Sequence, residues 1–250
     1  MEAQQGHSKA CCNIPPVISK SYENKGSYEV IGGLKTYVTG PSTTQRAILV
    51  IYDIFGYFPQ TLQGADILAT SDKDHPYQVF IPDFFEGEPA DIAWYPPVTD
   101  EQKKALGAWF PSHMPATGIA KIPKILKDIE EKYGEKTWGA VGFCWGGKVV
   151  AVTSGLETPF KAGAQCHPGM IDASDAAKIT IPTCVLASRE EAEDEVRAFD
   201  EALTVEKHVE TFADQIHGWM TARGDLEDEK VKKEYERGYK TVLEFFAKYL

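Results

Sequence analysis

The chain has 250 residues, a length that fits one α/β domain with a full two- or three-layer core, and 43% of it is hydrophobic, as in an ordinary soluble globular protein. A net charge of −11 makes nucleic acid and anionic lipid poor partners, without excluding a local cationic pocket for an anionic substrate. No apolar run is long enough to span a bilayer and the first ten residues lack the apolar core of a secretory signal, so a cytoplasmic protein is expected.

The elements follow in chain order. Residues 1–25, with Pro15 and Pro16 in their middle, read as an N-terminal arm, and residues 26–250 as a single domain. Tyr28 to Ile31 and Leu34 to Val38 flank Gly32-Gly33, the pattern of a β-hairpin. Ala47 to Tyr52 is a continuous apolar run closed by Asp53, which is how a strand buried on both faces reads. Helical spacing over 60–70 precedes a second buried strand, Gln78 to Ile81. Residues 84–98, rich in prolines, aromatics and acids, read as an irregular loop.

Helices follow over Asp100–Trp109 and Gly118–Tyr133, then a strand over Thr137–Val141 and a helix over Trp145–Leu156. Ala162–Cys166 and Thr183–Ala187 read as strands, Glu193–Leu203 as a helix, His208–Phe212 as a strand, and Lys230–Leu250 as a closing amphipathic helix. Strands alternating with helices predict a mainly parallel central sheet flanked by helices on both faces. Ligands of such sheets bind at the carboxyl ends of the strands, so the residues just after each strand are the ones to inspect.

One such stretch is Gly142-Phe143-Cys144-Trp145-Gly146-Gly147, between a strand and a helix. It is a G-x-S-x-G nucleophile elbow with sulfur in place of oxygen, the hallmark of an α/β-hydrolase fold. The nucleophile sits on a sharp, strained turn, and Gly142 and Gly146 supply clearance on either side. Its place at a helix start favours the thiolate.

The base of such an elbow comes late in the chain, and Gln215-Ile216-His217-Gly218-Trp219, after the last strand, is where it belongs. His7, His75, His113 and His208 are weaker candidates by position. His167, just after a strand, is a pocket wall or a structural residue, too early to be the base. The orienting acid should follow the strand Thr183–Ala187, where Glu190 and Glu191 compete. Two main-chain N–H groups are needed for the oxyanion: Trp145, next to the nucleophile, and Ile54, in the turn Asp53-Ile54-Phe55-Gly56. Asp53 points into the same crevice, to take the thiol proton, to contact the substrate or to cap a turn. Tyr57, Phe85, Trp94, Tyr95, Trp145 and Trp219 surround the expected crevice and suit a planar or unsaturated ligand, or the core.

The five cysteines are an odd number with no CxxC pair, which argues against a disulfide framework or a zinc site. Cys166 and Cys184 read as core residues, and Cys11 and Cys12 as an incidental pair in the arm.

Together, Asp53-Ile54-Phe55-Gly56, Pro82-Asp83-Phe84-Phe85, the Cys144 elbow and His217-Gly218 resemble the dienelactone hydrolase family, over about Tyr28 to Leu250 and most closely in its fungal branch. The resemblance implies a cofactor-free and metal-free hydrolase of enol lactones and related activated esters. Its triad would be Cys144, His217 and Glu191, with Ile54 and Trp145 as oxyanion donors. The chain departs from the family pattern in three places. Asp53 stands where bacterial members have a glutamate, Glu191 where an aspartate is usual, and Phe84-Phe85-Glu86-Gly87 lacks the arginine that holds the substrate carboxylate. Arg223 is the nearest cation to take that role.

The substrate expected from this is a small lactone or ester, bound by Asp53, Tyr57, Phe85, His167, Trp219 and Arg223, in a monomer or homodimer. Rival readings are a broad carboxylesterase, a thioesterase or anhydride hydrolase of secondary metabolism, a redox-sensing thiol with incidental hydrolysis, and a binding module that has lost turnover.

Overall fold

The computed structural model describes residues 22–70, 76–95 and 97–250. The expected N-terminal arm therefore lies outside the described residues except for its last four, as do His7, Cys11, Cys12 and His75.

Strands β1 (Ser27–Ile31) and β2 (Leu34–Thr39) form the hairpin, with Ile31 paired to Leu34 across the turn. Gly32 and Gly33 both have positive φ (66° and 86°), the backbone that a two-residue turn matching strand twist requires. Then follow β3 (Arg46–Ile51), α1 (Pro59–Thr70), β4 (Gln78–Pro82), α2 (Asp100–Trp109), α3 (Pro115–Tyr133), β5 (Thr137–Phe143) and α4 (Trp145–Thr153). The chain continues with β6 (Phe160–Cys166), α5 (Ala173–Ala176), β7 (Thr183–Ser188), α6 (Glu193–Ala202), β8 (Lys207–Phe212) and α7 (Glu229–Phe246).

The eight strands make one sheet in the order β1-β2-β4-β3-β5-β6-β7-β8. Strand β2 is antiparallel to both β1 and β4, and every pairing from β4 through to β8 is parallel. This is the α/β-hydrolase architecture. Helices cover both faces. Gly139 on β5 lies against Phe246 and Leu250 at the carboxyl end of the chain, whereas Gly163 on β6, which faces the other way, lies against Val150 and Ser154 of α4 and the residue that follows it. On the first face α1 meets α7 so closely that a methyl group on Gly64 would overlap the Tyr239 hydroxyl, and the Tyr235 hydroxyl donates to the Gln60 carbonyl at 2.6 Å. On the second, Gly118 of α3 leaves the space filled by the Trp145 ring.

The apolar runs of β3, β4 and β5 are enclosed almost throughout, as strands sandwiched between two helical layers must be. The edge strands differ: β1 and β8 are largely half-exposed or exposed. Strand β5 runs two residues beyond the apolar run that marks it, because Gly142 and Phe143 remain in register with Gln165 and Cys166. The four-residue helix α5 and the short 3₁₀ turn Ile92–Trp94 have no apolar period to announce them. Each is instead started by an aspartate side chain, Asp172 or Asp91, that accepts a main-chain N–H two residues on. The closing helix ends at Phe246, four residues before the point its amphipathic pattern suggests.

At the amino end of the described chain, Asp66 of α1 collects three donors. The Tyr22 hydroxyl lies at 2.5 Å, the Lys25 N–H at 3.0 Å and the Tyr37 hydroxyl at 2.9 Å. Among the described residues, no helix is long and apolar enough to cross a membrane.

Candidate active site

The carboxyl ends of β3, β5, β6 and β7 and the loop after β8 bring together residues far apart in sequence. At the centre is Cys144, between β5 and α4, with φ 52° and ψ −109°. That conformation is costly for a residue with a side chain, and packing enforces it. A methyl group on Gly142 would sit 2.0 Å from the Gly146 carbonyl oxygen, and one on Gly146 would sit 2.0 Å from that of Ile51. The turn is also tied to the strand end beside it: the Cys144 N–H donates to the Cys166 carbonyl (3.2 Å) and Gly169 N–H to the Cys144 carbonyl (2.9 Å). Cys144 is partly exposed, whereas Cys166 and Cys184 are buried in the sheet, where burial pushes both thiols up.

His217 lies in the loop between β8 and α7 and is buried. Its Nδ1 is 2.6 Å from Glu191 Oε1. A carboxylate partner makes Nδ1 the protonated nitrogen and leaves Nε2 as the basic one. Glu191 is itself held on the turn that follows β7. The Ser188 N–H donates to its Oε2 and the Ser188 hydroxyl to its Oε1 at 3.1 Å. Glu190, the competing acid, does not meet the imidazole; its Oε2 accepts the main-chain N–H of His217 at 2.9 Å.

His167, after β6, packs between the two halves of the site. Its ring centroid is 5.7 Å from that of Phe143, the neighbour of the cysteine, and 5.1 Å from that of His217, edge to face. It is fully enclosed, and neither ring nitrogen has a hydrogen-bond partner among the other described residues. Burial first, and then the nearby His217, hold it well below the usual histidine range, so it stays neutral.

Trp145 occupies the first position of α4, where an N–H has no acceptor within its own helix. In the turn after β3, Asp53 takes up the Phe55 N–H on its side chain (2.9 Å) and the Gly56 N–H on its carbonyl (3.3 Å), while the Ile54 carbonyl accepts from Ala90 (2.9 Å). Among the described residues, no hydrogen bond within that turn uses the Ile54 N–H.

Asp53 is therefore a turn cap. Its second oxygen reaches the Ala222 N–H at 3.4 Å, joining this turn to the His217 loop. Burial raises its carboxyl above the ordinary range, against the opposing bonds from Thr221, Phe55 and Ala222.

Two other residues expected at the substrate make contacts within the fold. Trp219 is completely enclosed, stacked on Phe212 (4.4 Å between centroids) and pressed against Gly238 of α7. The Tyr57 hydroxyl lies 2.8 Å from each of the Lys35 and Ile81 carbonyls, which share its single proton. Nothing in the local sequence distinguishes a ring that lines a crevice from one that packs beneath it.

Phe85 is buried 4.9 Å from the Trp145 ring and 5.0 Å from Trp109. His113 stacks on Trp109 at 4.2 Å, and its carbonyl accepts the Trp145 indole N–H at 2.7 Å. The Tyr52 hydroxyl donates to Asp83 at 2.7 Å and accepts from the Phe85 N–H at 3.2 Å. Apart from Phe85, these supports of the elbow's Trp145 side are not singled out by the sequence. The signal for Asp83 was present, a buried-strand end followed by two phenylalanines. His113 gave none.

Arg223 is 2% exposed and lies over the Tyr95 ring, 5.4 Å from its centroid. Its Nη1 is 3.4 Å from Glu190 Oε2, while Nε and Nη2 have no described partner.

The model of the dienelactone hydrolase family matches residues 34–250. The chain belongs to the dienelactone hydrolase family. Membership makes it a carboxylic ester hydrolase of the dienelactone hydrolase type. An uncharacterised AIM2 family protein of Schizosaccharomyces pombe is 36% identical over 236 residues, covering 91% of this chain and 93% of the relative. A carboxymethylenebutenolidase homolog of Xenopus tropicalis is 28% identical, covering 97% of this chain and 99% of the relative. Among solved structures, dienelactone hydrolase from Anabaena variabilis superposes with a TM-score of 0.65 at 12% identity, over 91% of this chain and 98% of that one, a likeness of fold.

Proposed function

We propose that this dienelactone hydrolase-like protein cleaves activated carbonyl compounds, enol lactones and aryl esters foremost, through a thioester on Cys144. The observation that carries the reading is the 2.6 Å contact between His217 Nδ1 and Glu191, in the cluster that also holds Cys144 at a strained backbone angle. In this reading Nε2 of His217 takes the thiol proton, and the thiolate forms a bond to the carbonyl carbon. The Ile54 and Trp145 N–H groups hold the resulting oxyanion. Collapse expels the enolate or alkoxide, which receives the proton from His217. Water, deprotonated by the same histidine, then cleaves the thioester, releasing the carboxylate and restoring the thiol.

A thiolate is itself a good leaving group, so amides are poor substrates and esters with acidic alcohols are good ones. Phe85, behind Trp145, and Arg223, with two unpartnered guanidinium nitrogens, support a flat substrate bearing a carboxylate. The Xenopus relative, a carboxymethylenebutenolidase homolog, agrees in reaction class.

The test is intact-protein mass spectrometry with p-nitrophenyl acetate and a panel of enol lactones, for wild type and Cys144→Ala. A transient acyl mass on Cys144 with turnover, both lost in the variant with turnover falling at least about a thousandfold, is the expected result. Turnover that survives in Cys144→Ala overturns the mechanism. Absence of both adduct and turnover across the panel, with peroxide-driven sulfenylation of Cys144, would favour the redox-sensing thiol.

A further inference from the structure

Two consecutive glutamates leave the turn after β7, and they address opposite ends of one histidine. Glu191 meets the imidazole, and Glu190 Oε2 accepts the main-chain N–H of His217 at 2.9 Å. The same Glu190 oxygen receives Arg223 Nη1 at 3.4 Å, with the two side chains 10% and 2% exposed. The Arg223 stem runs along the peptide that follows His217: a methyl group on Gly218 would come within 3.0–3.2 Å of Arg223 Cδ, Cβ and Cγ. Gly218 has φ 89°, so its left-handed backbone and its bare surface are both needed for this approach. The loop also follows β8, and among the described residues no further strand lies beyond that edge.

We propose that Glu190 is a positioning residue for the reaction, fixing the main chain of the catalytic base while balancing the charge of Arg223 beside it. This rests on the reading of His217 as the base for Cys144. Its action has two separable parts. The main-chain bond limits how far the imidazole can swing, and charge-assisted bonds of this kind are the strong ones. The negative charge offsets Arg223; without it, a buried and uncompensated cation stands next to the histidine that must become imidazolium. The charged and titratable groups around His217 are Glu191 and Glu190 from the turn after β7, Arg223 from its own loop, Asp53 from the turn after β3 and His167 from the end of β6.

The experiment is the pH dependence of p-nitrophenyl acetate hydrolysis by wild type, Glu190→Ala and Glu190→Gln, with Cys144→Ala as control. The neutral ester keeps Arg223 out of substrate binding. Glutamine keeps an oxygen for the His217 N–H and removes the charge; alanine removes both. The expected result for Glu190→Ala is a kcat about tenfold lower at unchanged KM. Glu190→Gln should recover most of that kcat near pH 8. In both variants the acid limb of kcat/KM should move to lower pH by about half a unit or more, because an unbalanced cation disfavours imidazolium. The proposal is overturned by a Glu190→Ala enzyme with wild-type kcat and pH profile. It is equally overturned if both variants lose activity only in proportion to folded protein, with the acid limb unmoved. Activity that persists in Cys144→Ala would instead remove the reading of the base itself.

Discussion

The Cys144 elbow and the His217 loop meet at one site, yet they are held there by different physics. The elbow lies between a central strand and a helix, and its geometry is a matter of volume: side chains on Gly142 or Gly146 would overlap main-chain atoms at 2.0 Å. The His217 loop follows an edge strand and is buried as well, but there polar contacts add to the packing. It is held by carboxylates: Glu191 on the ring, Glu190 on the main chain, and Asp53 reaching across to Ala222. A cysteine placed by packing is rigid by default, whereas a histidine that also relies on polar contacts depends on each one.

The sharpest break in this comparison is chemical. In Glu191→Gln the side-chain shape is kept, but an amide can present its NH₂ to Nδ1 and favour the wrong tautomer. We expect kcat to fall about 10³- to 10⁴-fold with a melting temperature close to wild type, read by ester hydrolysis and calorimetry side by side. A parallel loss of folding would mean that this carboxylate holds the loop more than it orients the ring.

Gly146→Ala tests the other half. The added methyl has no room beside the Ile51 carbonyl, so the variant should lose about 2–4 kcal/mol in urea unfolding, or fail to accumulate as folded protein. Wild-type stability would show that the elbow can shift as readily as a loop.

The smallest effect concerns His167, which touches both halves. Its folded-state pKa lies well below the ordinary value, so the folded protein excludes a proton that the unfolded chain accepts. The stability it contributes is complete above pH about 6.5 and is lost as pH falls below that value toward the folded pKa. Between pH 6.5 and 5, wild type should lose up to about 1.4 kcal/mol per pH unit more than His167→Asn, measured by urea unfolding at several pH values. Equal slopes would mean that His167 takes up its proton in the folded state too.

These two regions also explain what could be read in the sequence. The packed half was legible: continuous apolar runs gave the strands, and Gly142, Gly146 and the intervening cysteine gave the elbow, because steric demands leave a fixed residue pattern. The polar half was legible only in outline. Glu190 and Glu191 are identical residues one position apart, and which oxygen meets the imidazole depends on how the turn after β7 is closed by Ser188. Asp53 reads equally as a turn cap and a substrate contact until the partners of its two oxygens are known. Trp219 shares the loop of the base but turns into the core, an outcome decided by the bare surface of Gly238 nineteen residues later.

Gly218 sets a limit on how this enzyme can diversify. Because the Arg223 stem lies on its bare surface and its φ is 89°, the position admits no side chain without displacing the arginine. Changes in which acyl groups the protein accepts are therefore expected to accumulate around the Phe85 and Tyr95 rings, while the stretch from His217 to Arg223 moves, if at all, as one piece.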